Sequence, residues 1–253
     1  MPVANATLGI DTGGTFTDFV LVVDGQVSIH KLLSTPDDPA RAAVDGATAM
    51  ALPARATVTH GTTVATNALL ERKGARTALV TTAGFEDVIQ IGRQARSRLY
   101  DLEYQPAEPL VPRDLRFGTD ERIAADGSTV VALSPDAVDA LAARISAAGV
   151  DSVAISLLFS FLHPAHEAAL RDAIAARDPS LYVTASSDLL PEFREFERTS
   201  TTVINAYVGP LLSGYLDRLR ALVGRPLRVM QSSGGAIPVA LARREPVRAV
   251  LSG

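Results

Sequence analysis

The 253-residue sequence contains no cysteine, which excludes disulfides, thiolate nucleophiles, cysteine-ligated zinc and iron–sulfur clusters together. Only four histidines are present, so little remains for metal ligation by imidazole. There is no block of basic residues. The 24 Lys and Arg are scattered among 28 Asp and Glu, and at a net charge of −4 no nucleic-acid partner is expected. Long apolar runs are missing too: the longest uncharged apolar stretch, Ser152 to Leu162, falls well short of the ~20 residues that cross a bilayer. The opening Met-Pro-Val-Ala-Asn-Ala-Thr has no basic segment ahead of an apolar one, so no secretory signal is read there. These absences give the expectation of a soluble, cytoplasmic protein without a membrane partner. No internal repeat is visible either.

What is present is a large apolar fraction, 47%, enough for one large domain or two smaller ones. Chemistry concentrates in Leu8-Gly-Ile-Asp-Thr-Gly-Gly-Thr-Phe-Thr-Asp18, which runs into the apolar Phe19-Val-Leu-Val-Val23. A short strand, a carboxylate at Asp11, a diglycine reversal and a second β-branched strand make a hairpin with polar groups at its tip. Gly13-Gly14 is expected to supply positive φ and bare N–H groups for an anion, with the hydroxyls of Thr12, Thr15 and Thr17 around it and Asp18 closing the motif. Asp11 suits Mg²⁺, which takes one or two carboxylates besides water and phosphate oxygens. Neither the P-loop nor the dinucleotide fingerprint is matched. A tight hairpin without a ligand explains the same residues.

Strands are expected at 6–10, 16–23 and 26–32, with Asp24-Gly25 as the second hairpin turn. A helix at 40–50, a strand at 56–59, a helix at 62–72 closed by Gly74 and a strand at 77–81 follow. The βββαβα order predicts a mixed sheet with helices packed on it. Residues 92–127 read as an irregular surface excursion. Ser134-Pro135 starts a helix at 137–148, and 150–161 reads as one buried strand. A helix from His163-Pro164 to Arg177 and a strand at 181–184 come next. A polar passage at 192–198 leads to a helix at 201–223 broken or re-entered at Pro210, then to strands at 227–231 and 249–251.

Outside the hairpin, His60-Gly-Thr62-Thr63 ends a strand and opens a helix, where α/β sites gather, and Asn67 lies one turn on. Helix capping and a core histidine would account for these residues equally. Arg93 and Gln94 sit at the mouth of the excursion, where an arginine fork suits a carboxylate or phosphate. Arg198, Thr199, Thr201 and Asn205 fall at the expected junction between lobes, with pairing of Arg198 to Glu192, Glu195 or Glu197 as the alternative. His163 and His166 read as capping and surface residues, not metal ligands. Ser233, Gly234 and Gly235 form a polar turn that either touches phosphate or simply reverses the chain.

Asp-Thr-Gly-Gly-Thr-Phe-Thr-Asp18 resembles the first phosphate motif of the actin, chaperone-ATPase and sugar-kinase superfamily. In the same order, His60 to Arg72, Ile91-Gly-Arg-Gln94, Leu99-Tyr-Asp-Leu102, Glu197 to Thr202 and Asn205-Ala-Tyr207 resemble the hydantoinase A and oxoprolinase family. The resemblance implies an α/β fold: a ribonuclease-H-like (actin-like ATPase) lobe with a mixed sheet over 1–190, then the start of a second α/β lobe over 191–253. It further implies ATP and Mg²⁺ as cofactors and phosphorylation of a ring carbonyl in a cyclic amide of the hydantoin, N-methylhydantoin or 5-oxoproline kind. Ring opening would follow with a hydantoinase B-type subunit or fused region, in an oligomer. On that basis Asp11 holds Mg²⁺ and Thr12 to Thr15 the phosphate. His60, Thr62 and Thr63, with Asn67 and Arg93, orient the substrate. The second phosphate motif and adenosine pocket of the family are not read in these residues, so the 253 residues alone are expected to be inactive and to associate through a strand edge near 249–251. A ketone carboxylase subunit, a small-molecule kinase and a nonenzymatic actin-like module are the rival readings.

Overall fold

The computed structural model describes residues 6–35, 37–53, 55–95, 98, 100–105 and 107–250. In chain order these form β1 (Ala6–Thr12), β2 (Phe16–Val23), β3 (Gln26–Leu33), α1 (Pro39–Ala49), β4 (Thr57–Thr62), α2 (Val64–Leu70), β5 (Thr77–Thr82) and α3 (Val88–Ile91). Next come β6 (Arg116–Thr119), β7 (Arg122–Ile123), β8 (Thr129–Val131), α4 (Pro135–Ala147), β9 (Ser152–Ser156), α5 (Ala165–Arg177), β10 (Tyr182–Ala185) and α6 (Ser186–Leu189). The long α7 (Glu195–Val223), β11 (Leu227–Met230), β12 (Ala236–Pro238) and α8 (Val239–Arg244) complete the order. Contacts divide the chain into two compact units, 1–73 with 211–253, and 74–210.

In the first unit a six-stranded mixed sheet runs β12-β11-β4-β1-β2-β3. Strands β1 to β3 form an antiparallel meander, and β4 adds parallel to β1, the ribonuclease-H-like arrangement the sequence implied. Alternation along β1 buries Leu8, Ile10 and Thr12 and turns Thr7 and Asp11 to the other, exposed face. Helix α1 packs on the buried face, where Phe19 lies so close to Gly46 that a Cβ there would overlap its ring. Asp24 and Gly25 both take positive φ, 49° and 83°, as a two-residue hairpin turn of this hand requires.

Several expectations change. Gly13 and Gly14 do not adopt positive φ. Gly13 is instead crowded by the Phe16 carbonyl, 3.2 Å from where a Cβ would sit, while Gly14 has open space around it. Strand β11 does not start a separate sheet: it pairs in parallel with β4 and so extends the first one. The turn Pro246–Ala249 is 3₁₀-helical, so no strand edge is formed at Ala249, and Leu251 lies outside the described residues, as does Leu99 of the Leu99-to-Leu102 motif. Helix α2 ends at a cap on Glu71 with Arg72 in the left-handed region at φ 56°, and Gly74 instead abuts the Tyr207 ring.

The second unit holds a parallel sheet ordered β10-β9-β5-β6 and a short β7-β8 ribbon. Its core includes Leu79, Val80, Leu141, Ile145, Val153, Ile155, Leu170 and Ile174, all at most 3% exposed. The expected excursion at 92–127 therefore contains a sheet strand, β6, which has no apolar run because the buried Arg116 heads it. The Arg116 guanidinium is satisfied by the Val111 carbonyl at 3.0 Å, Asp87 at 3.0 Å and Gln90 at 3.1 Å. Strand β9 stops at Ser156, not Phe161, because side chains take over the Leu157 backbone: Glu167 accepts its N–H at 2.8 Å and Arg198 donates to its carbonyl at 2.6 Å. Helix α7 begins at Glu195 within the expected polar passage, with Glu195 and Glu197 in the electropositive first turn. It continues through Pro210, where the flanking Val208 and Leu212 are fully buried.

Candidate functional site

The hairpin tip opens into a cleft of about 500 Å³ in the first unit, lined by Thr12, Gly13, Gly14, Ser34, Thr35, Asp37, Thr63, Asn67, Lys73, Tyr215 and Arg218 among others. Sequence-local forces build its rim. The Gly13 N–H donates to the Phe16 carbonyl at 3.0 Å to close the turn, and the hydroxyl of Ser34, the residue after β3, clasps it by donating to the Gly13 carbonyl at 2.8 Å. Thr17 is fully buried and bonds Ser34 at 3.0 Å, so its hydroxyl braces the turn and does not face a ligand. The α1 end is capped: Asp38 accepts from the Ala40 N–H at 3.3 Å and Thr35 from that of Ala42 at 3.2 Å.

On the opposite wall, Thr63 ties the start of α2 to the hairpin, its hydroxyl and N–H reaching the Thr12 carbonyl at 3.1 and 3.2 Å. Asn67 stands one turn on, its Nδ2 3.5 Å from the Thr63 hydroxyl, and lines the same cleft as Thr63. Lys73 pairs with Glu71 at 2.7 Å on the rim. The cleft thus joins a diglycine turn, hydroxyls, one carboxamide, the cations Lys73 and Arg218 and the carboxylates Asp37 and Glu71, with Glu71 already paired to Lys73.

His60 is not on the surface of this cleft. It is fully buried in β4, and its Nε2 lies 2.7 Å from the Tyr215 hydroxyl. Burial lowers the His60 pKa to about 4, with the Ile10 backbone opposing the shift. Tyr215 lines the cleft and is itself pushed up to about 12 by burial, against the Thr62 and Thr12 hydroxyls. Thr62 is also fully buried and accepts the Val64 N–H at 3.2 Å. Direct contact of His60 or Thr62 with a substrate carbonyl is therefore replaced by contact with Tyr215.

The remaining expected site residues are not brought to the cleft. Asp11 is exposed on the opposite face of β1 from Thr12, Thr15 is exposed, and Asp18 pairs with Lys31 at 2.8 Å. Ser233, Gly234 and Gly235 form the exposed β11–β12 turn, where Gly234 and Gly235 take φ of 90° and 79° and the Gln231 amide closes it by donating to the Gly234 carbonyl at 2.9 Å. That is chain reversal. Arg93 belongs to the other unit, exposed and paired with Glu197. Arg198 is held by the backbone carbonyls of Leu157 and Glu192 and by the opposite charges of Glu167 and Glu195, the latter one of the glutamates expected to pair with it. Asn205 bonds Thr184 at 3.1 Å. His166 is bound to the buried Glu121 at 2.8 Å, and no group of three or more metal-ligating side chains is found among the described residues.

Ser34, Thr35, Asp37, Lys73, Tyr215 and Arg218 are the cleft residues that sequence reasoning passed over. Ser34 to Asp38 had a signal, since a cap directly after a strand places a helix start beside a hairpin tip. Tyr215 had none, lying 155 residues from His60.

The family model described as "Hydantoinase/oxoprolinase N-terminal region" matches residues 7–177, and the model "Hydantoinase/oxoprolinase" matches 198–253. The chain belongs to the hydantoinase/oxoprolinase family. The family boundary falls near the expected division at 190/191, whereas contacts divide the chain at 73/74 and 210/211. This hydantoinase/oxoprolinase chain is 38% identical to the caprolactamase subunit alpha of Pseudomonas jessenii over 97% of its own length and 38% of that protein. It is 32% identical to 5-oxoprolinase 1 of Arabidopsis thaliana, over 96% of the chain and 22% of the relative. A nucleotide-free acetone carboxylase structure superposes with a TM-score of 0.85 at 30% identity, over 99% of this chain and 39% of that one. The chain thus spans under two fifths of the length of these relatives.

Proposed function

We propose that the chain is the nucleotide-binding part of an ATP-dependent enzyme that opens a cyclic amide by first phosphorylating its carbonyl oxygen. The observation that carries this reading is the cleft itself, in which the Thr12-Gly13-Gly14 turn, Ser34 and the start of α2 meet around one open space. An unstrained amide is a poor electrophile, and placing phosphate on its oxygen turns that oxygen into a leaving group. Catalysis of such a transfer rests on positioning and charge neutralisation. The Gly13-Gly14 turn positions the transferred phosphoryl group, Lys73 and Arg218 balance its charge, and Thr63 and Asn67 address the acceptor carbonyl. Mg²⁺ fits this site in its usual manner of one or two carboxylates with phosphate oxygens, Asp37 being a carboxylate of the cleft lining. When bound it would neutralise phosphate charge.

The relatives are named as subunits, alpha in caprolactamase and beta in an acetone carboxylase, so a B-type partner subunit belongs to the proposal. A ketone carboxylase reading is favoured by the likeness to acetone carboxylase and uses the same carbonyl phosphorylation. The two separate on one assay. ATP hydrolysis by the protein assembled with its partner should rise with lactams or hydantoins and stay at baseline with acetone or acetophenone plus bicarbonate. The reverse pattern would establish the carboxylase, and stimulation by neither would sink both.

A further inference from the structure

The second unit carries a groove of about 460 Å³ at the N-terminal ends of two parallel strands, β5 and β6. Leu79 of β5 lies beside Arg116 of β6, so Arg76 and Asp114, three and two residues earlier, precede their strands at the same end of the sheet, and both line the groove. Their charges are opposite, and neither is spent. Asp87 takes the two arginines that flank Asp114, Arg113 at 2.7 Å and Arg116 at 3.0 Å, and leaves the Asp114 carboxylate without a cation. Arg76 is anchored through its backbone, its N–H donating to Asp151 at 2.9 Å, while its guanidinium forms no ion pair with any described residue.

A third polar group of the groove is idle as well. Tyr207 is 6% exposed and its ring lies so close to Gly74 that a Cβ there would overlap it, yet its hydroxyl has no hydrogen-bond partner among the described residues. A phenol buried to that degree usually has one. Leu110, Pro112 and Leu115 add apolar surface. One unpaired cation, one unpaired anion, an unused hydroxyl and hydrocarbon surface match a short amino acid whose charged ends are joined by methylenes, the guanidinium fork taking its carboxylate and Asp114 its ammonium. We propose that this groove binds such a zwitterion, the kind of product that ring opening of a lactam releases, at a site that shares no lining residue with the cleft of the first unit. Addition of water across the neutral amide bond yields one carboxylate and one ammonium, so the groove takes the product and rejects the substrate. The source of the ligand rests on the ring-opening reading above; the binding itself does not.

Calorimetry of the full chain with 6-aminohexanoate, hexanoate, hexylamine and the neutral ε-caprolactam tests it. 6-Aminohexanoate should bind, hexanoate and hexylamine at least about tenfold more weakly, and the lactam not measurably. Arg76 and Asp114 are exposed, so their variants should keep the wild-type melting temperature. Asp114→Asn should lower the affinity for 6-aminohexanoate to that for hexanoate, and Arg76→Gln to that for hexylamine. No binding by the wild type, equal affinity for the lactam, or an affinity that neither variant changes would overturn the proposal. Binding that survives in both variants and is displaced by ATP·Mg²⁺ would put the amino acid in the cleft and overturn it too. Lactam-stimulated ATP turnover of the assembled enzyme is read separately: its absence beside the expected binding pattern strikes the ring-opening reading alone, and its presence without binding strikes the groove alone.

Discussion

Each compact unit contains a buried polar network, and the two end differently. In the second unit Glu167 is fully buried and spends both oxygens inside the protein, on the Leu157 N–H at 2.8 Å, the Ser186 hydroxyl at 2.7 Å and the Ser187 N–H at 2.7 Å. Arg198, 1% exposed, answers its charge and holds the Leu157 carbonyl. That network ends largely on backbone and fastens the end of β9, although the buried Arg198 Nε finds no partner in it. In the first unit the chain from Val64 through Thr62 and Tyr215 to His60 instead runs beneath residues that line a cleft, Tyr215 and Thr12. Buried polarity that closes on itself holds a fold, whereas buried polarity that reaches an open surface prepares a site.

The comparison breaks first at Glu167. Glu167→Ala strands two N–H groups, a hydroxyl and the Arg198 charge, and should cost about 3–5 kcal/mol in denaturant unfolding. Nucleotide affinity of the folded molecules should be unchanged. A loss of affinity without loss of stability would place Glu167 in a ligand site and erase the distinction.

Acidification acts on the other network. His60 titrates near 6.5 when unfolded and about 4 when folded, so the unfolded chain takes up its proton first as pH falls. The stability of the neutral, buried form is whole above pH 6.5 and drains as pH drops toward 4, by on the order of 3 kcal/mol. Unfolding free energies across that window should flatten in His60→Gln, and an equally steep slope in the variant would assign the loss to other groups.

A smaller effect is expected at Asp11, which is exposed at the end of β1. Asp37 lines the cleft and Asp11 does not, so Asp11→Asn should leave ATP turnover of the assembled enzyme within a few-fold of the wild type. A loss of ~10², that of one preorganised electrostatic contact, would place Asp11 at the metal instead. Turnover near that of the wild type would leave Asp37 as the carboxylate of the site.

Much of the first unit was legible because its signals are local. Alternation along β1 to β3 and the Asp24-Gly25 turn fix the meander, and the motif at the tip stands between two strands that pair from Ala6–Val23 to Thr12–Thr17. Asn67 was placed by helical period alone. What escaped was set by distant partners. Tyr215 turns His60 from a surface residue of the strand end into a core one, and nothing near His60 announces it. Likewise β9 was read too long because the apolar run at Leu157 and Leu158 continues after Arg198 and Glu167 have taken the Leu157 backbone out of the ladder. The start of α7 lay in a charged segment whose glutamates suit a helix N-terminus as well as a linker.

The central claim, that a phosphate sits against the diglycine turn, is tested most directly at Gly14. Its φ is not positive, and a Cβ there meets nothing within 4 Å, so Gly14→Ala should leave the melting temperature unaltered. The added methyl would nonetheless stand where the ligand approaches the backbone. Calorimetry with ATP and Mg²⁺ should then show affinity lowered by roughly tenfold or more, the equivalent of one lost charge-assisted contact. A stable Gly14→Ala protein that binds ATP as tightly as the wild type would contradict the account, because the phosphate would not be against this turn.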